Sequence, residues 1–359
     1  MPAHSSLTAE KPADLAFLRS LPKCEHHLHI EGALSPEVLF SLAKRNNVDL
    51  PSPSEDPAYA SPSTLAERYK HFTSLDDFLA YYYRGFSVLL TRADFETLTY
   101  SYLARAHEDG VKHAEIFFDP QAHLCRGISF TTVLDGMRAA CARAEADFDM
   151  STLVIPCFLR HLPADDALDV LRSQEFVSAA QKQYIVGIGL DSSEQGFPPE
   201  LFQTLYAEAK AMGLRLTAHA GEEGPPANVA TSLGLLDCER IDHGIRMLED
   251  KVLTQRVATQ GIMLSVCPLS NVALRVKESV SQVPIRELLE AGVKFSINSD
   301  DPEYLGGYIL DNYVAVNKAF GLTRQEWNLV CTNAIQGSWC SQSRKEELLD
   351  LLRHAVPSS

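Results

Sequence analysis

His27 and His29 stand two residues apart in Lys23-Cys24-Glu25-His26-His27-Leu28-His29-Ile30-Glu31-Gly32. Two imidazoles at that spacing can grip one metal ion. The segment reads as a strand, in which alternate side chains share a face. His27, His29 and Glu31 are therefore expected to project together near a strand end at Gly32, with His26 pointing the other way. An HxH pair is a weak signal by itself. It gains weight from partners far downstream, each closing its own apolar run. They are His219 in Thr217-Ala218-His219-Ala220-Gly221-Glu222, His243 in Ile241-Asp242-His243-Gly244, and Asp300 in Ser299-Asp300-Asp301-Pro302. His27, His29, His219 and Asp300 supply three nitrogens and one oxygen and leave room for a water. That set suits a catalytic zinc ion, although iron or cobalt can use the same ligands. Bound zinc brings the pKa of its water to about 7. Asp300 can then also accept a hydrogen bond from that water, and His243 can take or hold its proton. Glu222 can deliver a proton to a substrate, and Asp301 can orient it.

These residues work together only if the fold brings strand ends to one place. Apolar runs of strand type recur at 24–30, 113–118, 153–159, 185–190, 214–219, 240–243, 262–266 and 293–298. Segments of helical spacing lie between them at 94–108, 164–181, 200–212 and 284–291. Gly213 and Gly292 follow two of these and read as helix stops. Alternating strands and helices imply parallel strands joined by right-handed crossovers. Eight of them predict a closed (β/α)8 TIM barrel, with an open doubly wound sheet as the competing architecture. In a barrel every one of the polar strand ends meets at one face, where such folds place their chemistry. The stretch 35–92 is too long for a loop and is expected to insert helices over the barrel mouth. The tail 323–354 reads as terminal helices before a polar Pro-Ser-Ser. No linker or internal repeat divides the chain, so residues 1–359 are read as one metal-dependent barrel domain.

Composition narrows the partners. The 359 residues are 45% hydrophobic and 22% charged, with a formal charge of −15. That balance is ordinary for a globular protein and argues against nucleic acid or an anionic membrane as partner. No apolar run approaches a membrane span. Glu10, Lys11 and Asp14 precede any sizeable apolar stretch, which disfavours a secretory signal. Eight cysteines form no CxxC pair, and no Asn-x-Ser/Thr sequon occurs, as expected of free thiols in a reducing compartment. The expected setting is cytoplasmic. Oligomeric state is left open, a homodimer included.

Together the motifs His27-Leu28-His29, His219-Ala220-Gly221-Glu222, Asp242-His243-Gly244 and Ser299-Asp300-Asp301-Pro302 resemble the adenosine/adenine deaminase family of metal-dependent amidohydrolases. They occur in the family's order and span nearly the whole chain. The segments Ile116-Phe117-Phe118-Asp119-Pro120-Gln121, Gly189-Leu190-Asp191-Ser192-Ser193-Glu194, Cys267-Pro268-Leu269-Ser270-Asn271 and Asp301-Pro302-Glu303-Tyr304-Leu305-Gly306-Gly307-Tyr308 look more like its fungal-type adenine deaminase branch. The resemblance implies one zinc ion on His27, His29, His219 and Asp300, and Glu222 as proton donor to the purine. It implies His243 as the residue that orients or deprotonates the water, and Asp301 and the backbone of Gly189 as purine contacts. His26 departs from the family, which more often has an apolar residue there. The implied reaction is hydrolytic removal of the 6-amino group of adenine in purine salvage, giving hypoxanthine and ammonia. Members of this family also occur in the nucleus. A donor at Glu222 must stay protonated near pH 7, so its pKa is expected to be raised.

Ordinary readings stand beside these. A histidine at a strand end is more often a structural hydrogen-bonder, and Asp300-Asp301-Pro302 alone would be a turn. His107, His113, His123 and His161 match no pattern and read as surface or core residues. The Tyr81-Tyr82-Tyr83 run and Phe86 read as helix packing before purine stacking, and Cys267 as a buried thiol. Glu31 can touch substrate or brace its loop. Asp119, Asp191 and Glu194 are second-tier pocket candidates. Rival functions are deamination of adenosine or of an N6-substituted adenine or AMP, another amidohydrolase reaction, and a non-catalytic purine-binding member.

Overall fold

The computed structural model describes residues 13–356, so Glu10, Lys11 and the terminal Pro-Ser-Ser lie outside the described residues. Eight parallel strands pair in sequence order: β1 Lys23–His29, β2 Val111–Phe118, β3 Ser151–Leu159, β4 Gly187–Asp191, β5 Arg215–Ala220, β6 Arg240–His243, β7 Met263–Val266 and β8 Lys294–Ile297. Closure between β8 and β1 runs through the site itself. Leu28 and Asp300 form an isolated parallel bridge, His29 N–H donates to Asp300 O at 3.0 Å, and Asp300 N–H donates to His27 O at 3.0 Å. The side chain of Asn298 adds a further tie, its Oδ1 accepting from His26 N–H at 2.8 Å. The sheet is thus a barrel with helices around it, and the open-sheet alternative is set aside.

Local chemistry accounts for the element ends. Gly213 (φ 79) and Gly292 (φ 68) stop the helices Gln203–Ala211 and Ile285–Glu290 in the left-handed region, which only glycine enters freely. The span 164–181, read as one helix, is two: Ala164–Arg172 and Gln174–Gln181. Ser173 separates them with an extended backbone (ψ 148), and its hydroxyl caps the second helix by accepting from Phe176 N–H. Serine competes for backbone hydrogen bonds in this way, so helical periodicity did not reveal the break.

The segment after β1 carries the helices Pro36–Asn46, Pro62–Tyr69 and Leu75–Gly85 before the long helix Arg92–Glu108. At the opposite end, a buried network closes the barrel floor. Arg240 pairs with Glu115 at 2.6 Å and stacks over Trp339, and His113 lies 3.2 Å from Glu115. Burial alone would push the Glu115 carboxyl up, but Arg240 and the neighbouring histidines hold it well below the usual range.

Strand alternation fails at β1. Its register against β2 shifts between Glu25 and Leu28. Glu25 accepts from Tyr102 OH on the long helix outside the barrel, at 2.7 Å. His26 instead reaches Ser296 Oγ (3.0 Å) and Ser338 Oγ (2.7 Å). Ser296 lies in register with Ser265, which bonds His27. His26 therefore shares the inner face with His27, correcting the expectation that it points away. A β-bulge puts two residues against one on the partner strand and defeats simple parity. His26 nonetheless points to Ser296 and Ser338, one layer below the histidines at the strand end.

Candidate metal and catalytic site

The end of β1, the end of β5 and the turn after β8 bring four donors together. His27 Nε2 lies 3.1 Å from Asp300 Oδ1, His29 Nε2 lies 3.5 Å from the same oxygen, and His29 Nε2 lies 3.2 Å from His219 Nε2. All four residues are buried. His27 Nε2 makes no well-aligned hydrogen bond among the described residues despite its short contact with Asp300. Two imidazole nitrogens facing each other beside a carboxylate oxygen make a poor hydrogen-bond network and a good cation cradle. Donors at 2.0–2.1 Å from a tetrahedral ion lie about 3.3 Å apart, close to the spacings seen. The residues present fit a metal ion.

Three of the four candidate ligands, His27, His29 and Asp300, are braced from behind, as metal ligands need to be, while His219 Nδ1 lies 3.7 Å from Asp242 Oδ2. His27 Nδ1 sits 3.1 Å from Ser265 Oγ, which donates to Asp242 Oδ1 at 2.8 Å. Thr217 Oγ1 donates to the other Asp242 oxygen at 2.7 Å. His29 Nδ1 lies 3.4 Å from Asp191 Oδ2, and Ser270 Oγ donates to Asp300 Oδ2 at 2.6 Å. Burial lowers the His29 pKa to about 3 and that of His219 well below its usual value. Both imidazoles are therefore neutral, the form a metal binds. Burial opposes charge on His27 too, but the Asp300 carboxylate outweighs it and raises the pKa. Asp300 in turn is held far below its ordinary value, burial being overcome by the histidines around it.

Beside this cluster stand Glu222 and His243. Alternation would send Asp242 and His243 to opposite faces of the barrel. His243, however, has φ 61, and its ring centroid lies 4.6 Å from that of His27. Asp300 has φ 66. Left-handed backbone at a histidine and an aspartate is uncommon and concentrates at functional sites. His243 Nε2 lies 3.4 Å from Glu222 Oε2 and 3.8 Å from Asp300 Oδ2. Burial, then the charges of Asp300 and Glu223, raise the Glu222 pKa well above its usual value, the direction a proton donor needs. Burial beside Asp300 does the same for Asp301. Asp301 packs directly on Gly32, where a β-carbon would overlap its Oδ1, so glycine is required at that contact.

A cavity opens onto these groups. His29, His219, Glu222, His243, Asp300 and Asp301 line it together with Asp119, Asp191, Ser192 and Ser193 at the ends of β2 and β4. Phe78, Leu79, Tyr82 and Tyr83 of the helix Leu75–Gly85 supply its apolar wall. Tyr82 and Tyr83 thus border the cavity, whereas Tyr81 stacks on Tyr59 and Phe86 on His123. Helix packing was the preferred reading for the whole run, and it holds for half of it.

Other candidates fall elsewhere. Glu31 Oε1 accepts from Asp119 N–H (3.2 Å) and contacts His123 Nε2 (2.7 Å), which braces the loop. Gly189 does not line the cavity; a β-carbon there would run into Cys157 Sγ, so its strand packing already requires glycine. Cys267 is a buried thiol, its pKa pushed up by burial. Glu194 sits behind the segment 221–224 instead of on the cavity wall. Sequence reasoning assigned no role to Asp242, Ser265, Ser270 or Asn271. Asp242, Ser270 and Asn271 stand in motifs given above, and their polarity at the ends of β6 and β7 is the available signal.

Known proteins resemble this chain in sequence and fold. The model of the adenosine deaminase family matches residues 22–355. The adenine deaminase of Schizosaccharomyces pombe is 54% identical over 340 residues, covering 95% of this chain and 92% of that protein. That of Aspergillus fumigatus is 54% identical over 333 residues, covering 93% and 94%. The crystal structure of an adenine deaminase from Arthrobacter aurescens superposes with a TM-score of 0.88 at 44% identity, covering 94% of this chain and all of that one. A zinc-bound amidohydrolase from Burkholderia ambifaria superposes with a TM-score of 0.80 at 26% identity, covering 100% and 99%. A barrel whose strand ends present this donor set, matched by that family along almost its whole length, is a member of the adenosine deaminase family.

Proposed function

We propose that this protein is a zinc-dependent adenine deaminase, converting adenine and water to hypoxanthine and ammonia. The observation that carries the reading is the convergence of the His27–His29–His219–Asp300 cradle with Glu222, whose carboxyl burial pushes up, in one cavity, in a chain about half identical to curated adenine deaminases. Zinc is the preferred ion for three imidazoles and a carboxylate; held there, it supplies a nucleophilic water near neutral pH.

The chain's own groups do the rest. Glu222, kept protonated by burial, gives its proton to N1 of the purine, and C6 becomes electrophilic. His243 sits 3.4 Å from Glu222 Oε2, where it takes the proton of the attacking water. Addition at C6 gives a tetrahedral centre on the substrate; the proton taken by His243 passes to its amino group, ammonia leaves, and the C6 hydroxyl proton returns to Glu222 as the carbonyl forms. Asp301, protonated beside Asp300, donates to a ring nitrogen and fixes the base in the plane. Tyr82, Tyr83 and Phe78 cover the apolar faces of the ring and exclude water.

The choice of a neutral substrate is supported by charge. None of the described residues lining the cavity is lysine or arginine, while six are carboxylates: Asp119, Asp191, Glu222, Glu223, Asp300 and Asp301. A phosphate would find no cationic partner there. Arg246, Arg275 and Lys277 line a neighbouring groove that also reaches Glu222 and Glu223, which favours an AMP derivative as the second reading. Arg246 is already engaged by Glu249. In the described residues no helix is long and apolar enough to cross a membrane, and the compartment proposed is the cytoplasm, with the nucleus as a second location. Ammonia or methylamine release from adenine, adenosine, N6-methyladenine and N6-methyl-AMP, measured side by side, tests the assignment. Adenine should be the strongly preferred substrate. Preference for a nucleoside or nucleotide would keep the site and overturn the substrate.

A further inference from the structure

Glu194 follows β4, after the turn at Ser192 (φ 73), and is 5% exposed. Its carboxylate gathers five donors. Oε1 accepts from the backbone N–H groups of Glu222 (2.8 Å), Glu223 (3.1 Å) and Gly224 (3.1 Å). Oε2 accepts from Gly221 N–H (3.0 Å) and Asn228 Nδ2 (2.7 Å). Two carboxylate oxygens offer about four lone-pair sites, so this one is saturated. It has no capacity left for substrate or proton transfer, and it does not line the cavity.

We propose that Glu194 is a positioning residue for the reaction: it holds the backbone of 221–224 in one rigid cradle and so sets where the Glu222 side chain meets the purine. The proposal rests on Glu222 being the proton donor. Four consecutive N–H groups turned toward one point form a concave nest that needs an anion at its centre; here the anion is part of the chain. The glycines fit the purpose. Gly221 has φ 71, and a β-carbon on Gly224 would overlap Glu194 Oε2. Buried Arg160 adds a second hold: Nη2 donates to His219 O at 2.6 Å, while Nη1 lies 3.9 Å from Glu194 Oε2. Glu194 and Arg160 together tie the β5 end that bears His219 to the loop that bears Glu222.

Removing the nest's centre frees a loop whose side chain must be placed to within a fraction of an ångström, and misplacement of about 1 Å costs on the order of 10²-fold. The double-mutant cycle of E194Q and E222Q with adenine, normalised to bound metal and run well below each melting temperature, tests the idea. E194Q must place an amide N–H against backbone donors. It should lower kcat at least thirtyfold, leave KM within threefold and keep the metal. In the E194Q background, E222Q should cost far less than in the wild type, because both changes remove one function. E194D keeps the charge, retracts it by a methylene, and should fall between wild type and E194Q. It serves as the test if E194Q does not fold. Loss of kcat in E194Q that multiplies with that of E222Q would make Glu194 a fold element and overturn the proposal. So would wild-type kcat in E194Q or E194D. An active E222Q single variant would instead overturn the donor assignment beneath it.

Discussion

Asn271 Nδ2 donates to Glu222 Oε1 at 3.0 Å, from the helix Pro268–Ala273 that follows β7. A donor on Oε1 requires that oxygen to accept, which leaves the acidic proton on Oε2, the oxygen 3.4 Å from His243 Nε2. One amide thus assigns the proton of a carboxyl group carried by a different strand end. Replacing Asn271 with Ala frees that assignment. We expect kcat to fall by about 10- to 100-fold, the scale of one well-placed hydrogen bond in a buried site, with metal content unchanged.

The raised pKa of Glu222 sets the sign of the pH dependence. With Glu222 as the proposed proton donor, its protonated form is the active one, so activity should be full below the raised value and lost as pH rises through it. A pH–kcat profile should show a descending alkaline limb, and Glu222→Gln should remove the limb along with on the order of 10²- to 10⁴-fold of the rate. A flat wild-type profile from pH 5 to 9, with chemistry rate-limiting, contradicts the assignment.

His243 has its pKa lowered to about 3, by burial and then by the neighbouring His27, so it is neutral at working pH. His243→Ala should keep bound metal, measured by elemental analysis, while turnover drops on the order of 10³-fold. Turnover within tenfold of wild type would remove His243 from the chemistry.

His26 predicts a stability effect instead of a kinetic one. Burial lowers its pKa to about 3, so the folded state holds the neutral ring. A depressed value means that its contribution is fully present above the unfolded pKa of about 6.5 and is lost as pH falls toward 3. His26→Gln should be less stable than wild type at pH 7.5, having lost part of the bridge to Ser296 and Ser338. That gap should narrow by about 1 kcal/mol for each pH unit between 6 and 5. Urea unfolding at saturating metal gives both slopes.

The convergence of His27, His29, His219 and Asp300 was legible because each stands at or near the end of an apolar run, and a parallel barrel gives all such ends one address. The strands were legible for the same reason, their cores being short runs bounded by helices. What stayed hidden depended on partners distant in sequence. The direction of His26 turns on a register shift against β2. The role of Glu194 turns on four N–H groups of a segment about thirty residues away. Asp242 and Ser265 sit inside apolar strands, and only the pairing of β5, β6 and β7 in register shows that they stand behind His219 and His27. Tyr82 and Tyr81 are neighbours of one type on one helix. Which of them borders the cavity is decided by how that helix lies on the barrel.

We propose that one metal ion, held by His27, His29, His219 and Asp300, is required for adenine deamination. The direct measurement is a titration of metal-depleted protein with zinc, following ammonia release from adenine. Activity should start near zero, rise linearly, and stop at one equivalent per chain. The donor atoms of His27, His219, His243 and Asp300 lie close enough together to hold an ion, and so do those of His29, Asp119 and Asp191, so a plateau at two equivalents would contradict binding of a single ion. Full activity before any zinc is added would contradict the metal requirement itself.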